Sequence, residues 1–287
     1  MTYPRATRRG FGGASLLGAT AIAAAALTTM VASTSAQAWE LRVCADPNSL
    51  PFSHREESGF ENRIAEIIAD DLDATLTYEW YPQIAAMTSE RLRTGYCDLI
   101  MSTAGNQAGI LGTLSYYRAP FVFVYRADED YDIRTFDDAI LAELSIGIQP
   151  AEGPAHRALM VRGLGQNIDA EFGFLGGDSE DPLEPAIEAV AQGELDVAIV
   201  WGPAAGYYAD QQDVELVVQP VPPFEPPFIP LYLNIGIGTR LGDESLRDLL
   251  DIALVRRWDE IQAVIDSYGI PTMPLPKPTL TLEETTQ

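Results

Sequence analysis

The sequence predicts an α/β protein made of two similar lobes, each a mostly parallel sheet flanked by helices, with a cleft between them. The first observation is a repeated pattern. Leu92-x-x-Gly95-x-x-Asp98 runs into Leu99-Ile100-Met101, and further along Val190-x-x-Gly193-x-x-Asp196 runs into Val197-Ala198-Ile199-Val200. In each copy a helix-periodic stretch ends at a glycine, the residue that closes helices in the left-handed conformation. The second observation is the almost wholly apolar run after each Asp. A strand apolar on both faces is covered on both faces, which marks the central strand of a helix-flanked parallel sheet. The third is the C-terminal end, where a strand and a long helix follow a completed second lobe. They return most simply to the first, so the chain crosses twice and leaves a cleft lined by strand ends.

The N-terminus reads as an export signal. Arg5, Arg8 and Arg9 precede an apolar, small-residue stretch over 14–31, and Ser33-Thr34-Ser35-Ala36-Gln37-Ala38 supplies a small-x-small cleavage site after Ala38. Thr7-Arg8-Arg9-Gly10-Phe11 also fits the twin-arginine type, which carries folded proteins, and the general secretory route stays open beside it. The stretch is Ala- and Thr-rich and broken by Gly18, which argues against a membrane anchor, so no membrane association is expected after cleavage.

With 18 basic and 42 acidic residues the chain carries a net charge of −24, and loss of the three leader arginines takes it to about −27. Nucleic acid and anionic lipid are thereby excluded as partners. The acidity either steers encounter with a basic protein or keeps an exported protein soluble.

The mature chain opens with an apolar strand over 41–45. Asp46-Pro47-Asn48-Ser49-Leu50-Pro51-Phe52-Ser53 follows as a loop at the strand's carboxyl end. Gly59-Phe60-Glu61 begins a helix over 62–72, where Ile64, Ile67, Ile68 and Leu72 recur at helical spacing, and 75–80 alternates as a strand. A helix near 88–93 leads to the first copy of the pattern. Phe121 to Arg126 is a further apolar strand, entered from Tyr116-Tyr117-Arg118-Ala119-Pro120. The second lobe is expected as a helix over 136–144, a strand over 145–149, helices over 155–162 and 185–191 around an acidic loop at 176–181, the second pattern copy, and a strand over 214–218. Six prolines between 219 and 230 exclude a helix or central strand and mark the return crossing. A strand over 231–237 and an amphipathic helix over 246–268 complete the first lobe. The expected division is a leader at 1–38, lobe 1 at 39–126 plus 225–273, lobe 2 at 127–224, and a mobile tail at 274–287.

Cys44 and Cys97 are the two cysteines, and both follow the leader. An oxidising compartment makes them a disulfide candidate, although bridges across adjacent parallel strands fit the geometry poorly; the alternative is two buried thiols.

Several stretches resemble family 3 extracellular solute-binding proteins of the type II periplasmic binding fold: 41–46 running to Leu50-Pro51-Phe52, then Gly59-Phe60-Glu61, the first pattern copy and Tyr116-Tyr117. A narrower match, through Leu41-Arg42-Val43-Cys44-Ala45-Asp46-Pro47-Asn48, Gly59-Phe60-Glu61-Asn62-Arg63-Ile64-Ala65, 116–126, and Asp196-Val197-Ala198-Ile199-Val200-Trp201-Gly202-Pro203-Ala204-Ala205-Gly206-Tyr207, resembles the MxaJ/XoxJ group. That resemblance implies a periplasmic accessory of a pyrroloquinoline-quinone (PQQ) methanol dehydrogenase, acting in its assembly or activation and not as a catalyst. The competing reading is a receptor delivering a small organic solute to an ABC-type importer.

Amino-acid-binding relatives place an Arg shortly after the third strand to pair with the ligand carboxylate. Thr103-Ala104-Gly105-Asn106-Gln107-Ala108 supplies none, and Arg118 is the nearest substitute. The expected cleft residues are Phe52, Phe60, Thr103, Tyr117, Arg118, Glu152, Trp201 and Tyr207, mostly aromatic because rings supply large contact area. His54 and His156 lack a carboxylate or thiol at ligand spacing, no Gly-rich phosphate loop follows a strand, and no heme attachment pair exists. No catalytic residue, cofactor or metal is expected.

Overall fold

The structure is a computed structural model that describes residues 39–82, 85–105, 107–148, 153–169, 184–226 and 228–280. The expected leader, the acidic loop at 176–181 and Glu152 lie outside the described residues, as do 281–287 of the tail. The chain forms β1 (Glu40–Ala45), β2 (Asn48–Ser49), β3 (Ser53–His54), α1 (Phe60–Asp71), β4 (Thr75–Trp80), α2 (Ala85–Thr94), β5 (Leu99–Ala104) and β6 (Ile110–Arg126). Then come β7 (Ile146–Ile148), α3 (Pro154–Val161), α4 (Glu184–Gln192), β8 (Val197–Trp201), α5 (Gly202–Ala209) and β9 (Leu216–Pro220). The short pair β10 (Phe224–Glu225) and β11 (Ile229–Pro230) leads to β12 (Tyr232–Arg240), α6 (Glu244–Arg256) and α7 (Trp258–Ser267).

Two sheets share one strand. The first has the order β4-β1-β5-β12-β6, and the second is built from β7, β8, β6 and β9. The residues of β6 from Ile110 to Pro120 pair antiparallel with β12; from Phe121 onward β6 pairs with β8 on one side and β9 on the other. The hydrogen-bonded path is therefore continuous, yet the partner strands change around Pro120 and Phe121, where the Phe121 amide makes the last bond to the β12 side at Leu231 O. Proline is tolerated there because it occupies the last pair of one ladder and its missing N–H interrupts neither. The sequence marks the apolar run from Phe121 as strand; β6 begins earlier, at Ile110, and its residues 111–115 are half-buried without alternation.

The strands after the repeated pattern are parallel to one neighbour, β5 to β1 and β8 to β7, while the crossing strands β12 and β6 run antiparallel to them. Separate cores cover the faces. Leu41, Ile64, Leu250, Leu254 and Ile261 pack under α1, α6 and α7 on one face of the first sheet, with Leu92, Ile100 and Ile110 in a smaller core containing both cysteines. In the second sheet Phe123, Phe136, Ile146 and Leu159 fill one core, and Val122, Val124, Ile187 and Val200 another. Phe121, Phe123 and Tyr125 belong to the second sheet's core, ahead of the lobe boundary expected after Arg126, and Leu231 packs there too, beyond the boundary expected at 225. Leu275, expected in the tail, packs against the first core.

Two expected helices differ. Residues 136–144 hold only a 3-10 turn at Ala139–Ala142, because the Asp138 carboxylate accepts from the amides of Arg134 and Thr135 and fixes a turn instead. The expected helix over 246–268 divides at Arg257, which pairs with Asp70 of α1 (2.9 Å) and Glu260 of α7 (2.6 Å). The exclusion of central strands from the proline-rich crossing agrees with β9, which ends at Pro220 on the sheet edge.

The repeated pattern has the same physical content in both copies. Gly95 and Gly193 adopt φ values of +76° and +75°, and each helix end closes with matching hydrogen bonds, Tyr96 N to Arg91 O and Glu194 N to Ala189 O. Each following Asp accepts from a backbone amide on the neighbouring parallel strand or just before it: Arg42 N, within β1, donates to Asp98 (3.0 Å), and Ser145 N and Oγ, ahead of β7, donate to Asp196 (2.7 Å each). Asp98 also holds the Arg42 guanidinium at two oxygens. Cys44 and Cys97 form a disulfide with Cα atoms 5.5 Å apart. The objection to a cross-strand bridge does not apply, since Cys97 precedes β5 and lies outside the ladder in which Cys44 faces Ile100.

Replacing Asp196 by Ala leaves the Ser145 amide without its acceptor and is expected to lower unfolding stability by about 1–3 kcal/mol, seen as a lower urea midpoint at unchanged slope. Opening the Cys44–Cys97 bridge by reduction is expected to cost about 2–4 kcal/mol, measured by the same titration with and without reductant.

Candidate functional site

A mostly apolar cavity of about 360 Å³ opens where β6 changes partners. One wall is a single face of the crossing ladder. Tyr117, Ala119 and Phe121 alternate onto the same side of β6, opposite Ile235, Leu233 and Trp201, and all but the small Ala119 line the cavity. The Phe121 and Trp201 rings meet edge to face at 5.5 Å between centroids. The second wall is the loop after β1, with Asp46, Ser49, Phe52 and Ser53, joined by Glu61 from the first turn of α1 and Ser102 of β5.

Backbone hydrogen bonds fix that loop to the start of α1. The amides of Phe60 and Glu61, which have no intrahelical acceptor, donate to Pro51 O (2.8 Å) and Phe52 O (2.9 Å). The Asn62 side-chain oxygen accepts from His54 N and Gly59 N, and Ser53 Oγ donates to Asp46 O. Gly59 is required by this close approach: a Cβ there would lie 2.1 Å from Phe52 O. Glu61 is thus delivered to the cavity by a loop and helix end bound to one another.

The Glu61 carboxyl is 5% exposed, and its hydrogen-bond donor among the described residues is the Ser102 hydroxyl. Burial raises its pKa from 4.5 to about 7, with Ser102 offsetting part of the rise. Tyr117 is 2% exposed. Its hydroxyl is buried near Ser102 without reaching hydrogen-bond geometry, and burial, reinforced by the Glu61 charge, holds its pKa well above the ordinary phenol value.

Of the expected cleft residues, Phe52, Tyr117 and Trp201 line this cavity. Phe60 lies behind the wall, fully buried and in ring contact with Phe52 (5.5 Å) and Tyr117 (5.7 Å). Thr103 is buried in β5 and its hydroxyl meets Gln107. Tyr207 is half-buried on α5 against Tyr208. Arg118 does not face the cavity. Its guanidinium binds Asn234 Oδ1 (2.6 Å) and Pro274 O and stacks over Tyr232, so it fastens the C-terminal segment in place of a ligand. The reason is alternation, since Arg118 projects from the face of β6 opposite to Tyr117. Sequence reasoning missed Glu61 and Ser102 as site residues, along with Asp46, Phe121, Leu233 and Ile235. The alternation of 117, 119 and 121 would have found Phe121, but nothing local marks Glu61 as buried, because a Glu in a first helical turn is ordinarily a solvated dipole partner.

Among the described residues, no cluster of His, Cys, Asp and Glu is arranged to hold a metal ion, and no helix is long and apolar enough to cross a membrane.

No protein-family model matches the chain. The solved structure of the periplasmic binding protein XoxJ from Methylobacterium extorquens AM1 is 35% identical, covers 82% of this chain and 100% of its own, and superposes with a TM-score of 0.67. The chain belongs to the MoxJ/MxaJ/XoxJ family. A second family structure, MxaJ from Methlophaga aminisulfidivorans MPT, is 25% identical with a TM-score of 0.74, covering 81% of this chain and all of that one. MoxJ of Methylorubrum extorquens is 26% identical over 250 residues, 82% of each protein. The family's fold is the two-sheet periplasmic binding-protein architecture described above, and the cavity lies where its sheets meet.

The Glu61 shift carries a pH dependence. A carboxyl whose pKa is raised in the folded state stabilises the fold when protonated, fully below about pH 4.5, and that stability is lost as pH rises through about 7. The shift corresponds to about 3 kcal/mol. Glu61→Gln is expected to abolish this component and to exceed the unsubstituted protein in stability above about pH 7, checked by urea titrations of both proteins at about pH 5 and about pH 8.

Proposed function

We propose that this chain is an exported accessory protein of a PQQ methanol dehydrogenase system, serving the dehydrogenase by binding it in the periplasm and not by catalysis. The observation that carries the reading is family membership over the full length of a 35% identical relative that is itself a periplasmic binding protein. The basic, apolar and small-residue order of 1–38 supports export, with cleavage after Ala38. The cavity wall supports a departure from amino-acid import, since among its described residues no Arg or Lys is placed to pair with a carboxylate.

The strongly acidic chain favours a partner with a basic face. The mature protein, immobilised and presented with the purified quinoprotein dehydrogenase of the same organism, is expected to bind it saturably, with affinity falling as salt is raised. A deletion strain whose dehydrogenase remains fully active and PQQ-loaded would overturn the accessory role.

A further inference from the structure

We propose that the cavity between the sheets takes a small organic ammonium ion with an apolar body, its charged head against Glu61 and Tyr117 and its body among Phe52, Phe121 and Trp201. This inference is independent of the dehydrogenase reading and stands or falls separately from it.

Three observations converge on it. The Glu61 carboxyl is almost wholly buried at a mostly apolar cavity and, among the described residues, receives one hydroxyl, from Ser102 to Oε1, so a carboxylate with capacity for further donors faces an apolar space. Among the described residues the Tyr117 hydroxyl, buried beside that pair, has no hydrogen-bond partner, an uncommon condition for a buried polar group and one that a ligand donor relieves. The wall carries two carboxyl side chains, Asp46 and Glu61, and among its described residues no Arg or Lys, so an anion is repelled while a cation is unopposed.

The remaining surface selects among cations. A metal ion needs several ligands in fixed geometry, and among the described residues no group of three or more His, Cys, Asp or Glu side chains is arranged to hold one. An organic ammonium ion matches this lining: N–H donors meet the carboxylate and the phenol oxygen, ring faces stabilise the positive charge, and the apolar body buries against the ladder face. A cavity of about 360 Å³ accommodates a body of benzyl or butyl size. Because the described residues of the site hold no counter-charge for a carboxylate, the ligand is an amine and not an amino acid.

Calorimetric titration of the mature protein at neutral pH tests this with benzylammonium and n-butylammonium, each beside its neutral alcohol and its carboxylate. Both ammonium ions are expected to bind at least about tenfold more tightly than their alcohols, and the carboxylates not to bind, since a hydrogen-bonded charge is worth roughly that factor or more. Glu61→Gln is expected to erase the preference for ammonium over alcohol. Tyr117→Phe keeps the ring and removes only the orphaned hydroxyl, so it is expected to raise the melting temperature of the unliganded protein while weakening ammonium binding several-fold. The proposal is overturned if neither ammonium ion binds, if the alcohols bind as tightly, or if the preference survives Glu61→Gln. Should Glu61→Gln fail to fold, unchanged benzylammonium affinity in Tyr117→Phe overturns it equally.

Discussion

The structure depends on one strand exchanging its partner strands around a single point. Up to Pro120, β6 is paired with β12; the Phe121 amide donates once more to that side, at Leu231 O, while Phe121 begins the pairing with β8 and Val122 the pairing with β9. A continuous backbone cannot rotate freely at such a point, because the pleat carries Tyr117, Ala119 and Phe121 through it on one face. The side chains opposite them come from two different sheets, Ile235 and Leu233 from β12 and Trp201 from β8. The cavity wall is therefore assembled by strand pairing, and its composition follows from which residues fall on the shared face.

The second constraint fixes each sheet internally. Parallel neighbours have no hairpin to set their register, and in both sheets a carboxylate does so by holding an amide in or just before the adjacent strand. The two solutions are not identical. Asp98 also pairs with a partly exposed arginine, a contact worth little on its own in water, whereas Asp196 takes a serine hydroxyl in addition to the amide. The shared element is the amide, and it explains why the pattern places an Asp a fixed distance after a left-handed glycine that ends the preceding helix. The glycine turns the chain and the Asp locks the strand it enters.

That repeat made the fold legible. It exposed two sheets, their central strands and the order of the first lobe, because helix closure and two-face burial leave local traces in residue type. The junction was less legible. Residues 111–115 are half-buried throughout and show no alternation, so the first part of β6 leaves no strand signature in the sequence. For the site, the aromatic residues Phe52, Tyr117 and Trp201 could be placed from their position beside strand ends. Arg118 was misplaced because one residue of offset on a strand reverses the face, and strand phase had been assigned only from Phe121 onward. Glu61 was invisible for a different reason: its burial comes from the loop docking through Gly59 and Asn62, a tertiary event with no periodic signature.

Placing a carboxyl in such surroundings works against stability, and among the described residues one hydroxyl, from Ser102, compensates it. Purely structural packing would place an apolar residue there, since Phe60, Phe52 and Tyr117 already supply a continuous aromatic surface. The elements that carry Glu61 are also the most thoroughly fastened in the region, with two backbone amides, the Asn62 carboxamide and a glycine approach all spent on holding the loop against α1. A costly group held on a rigid support is the arrangement expected of a recognition site, where orientation is settled before the ligand arrives and the electrostatic penalty is relieved by the ligand itself. The fold thus separates two tasks: the repeated carboxylates that fix strand register hold amides in or just before the adjacent strands, and the carboxyl suited to recognition sits at the junction, where both sheets bear on it.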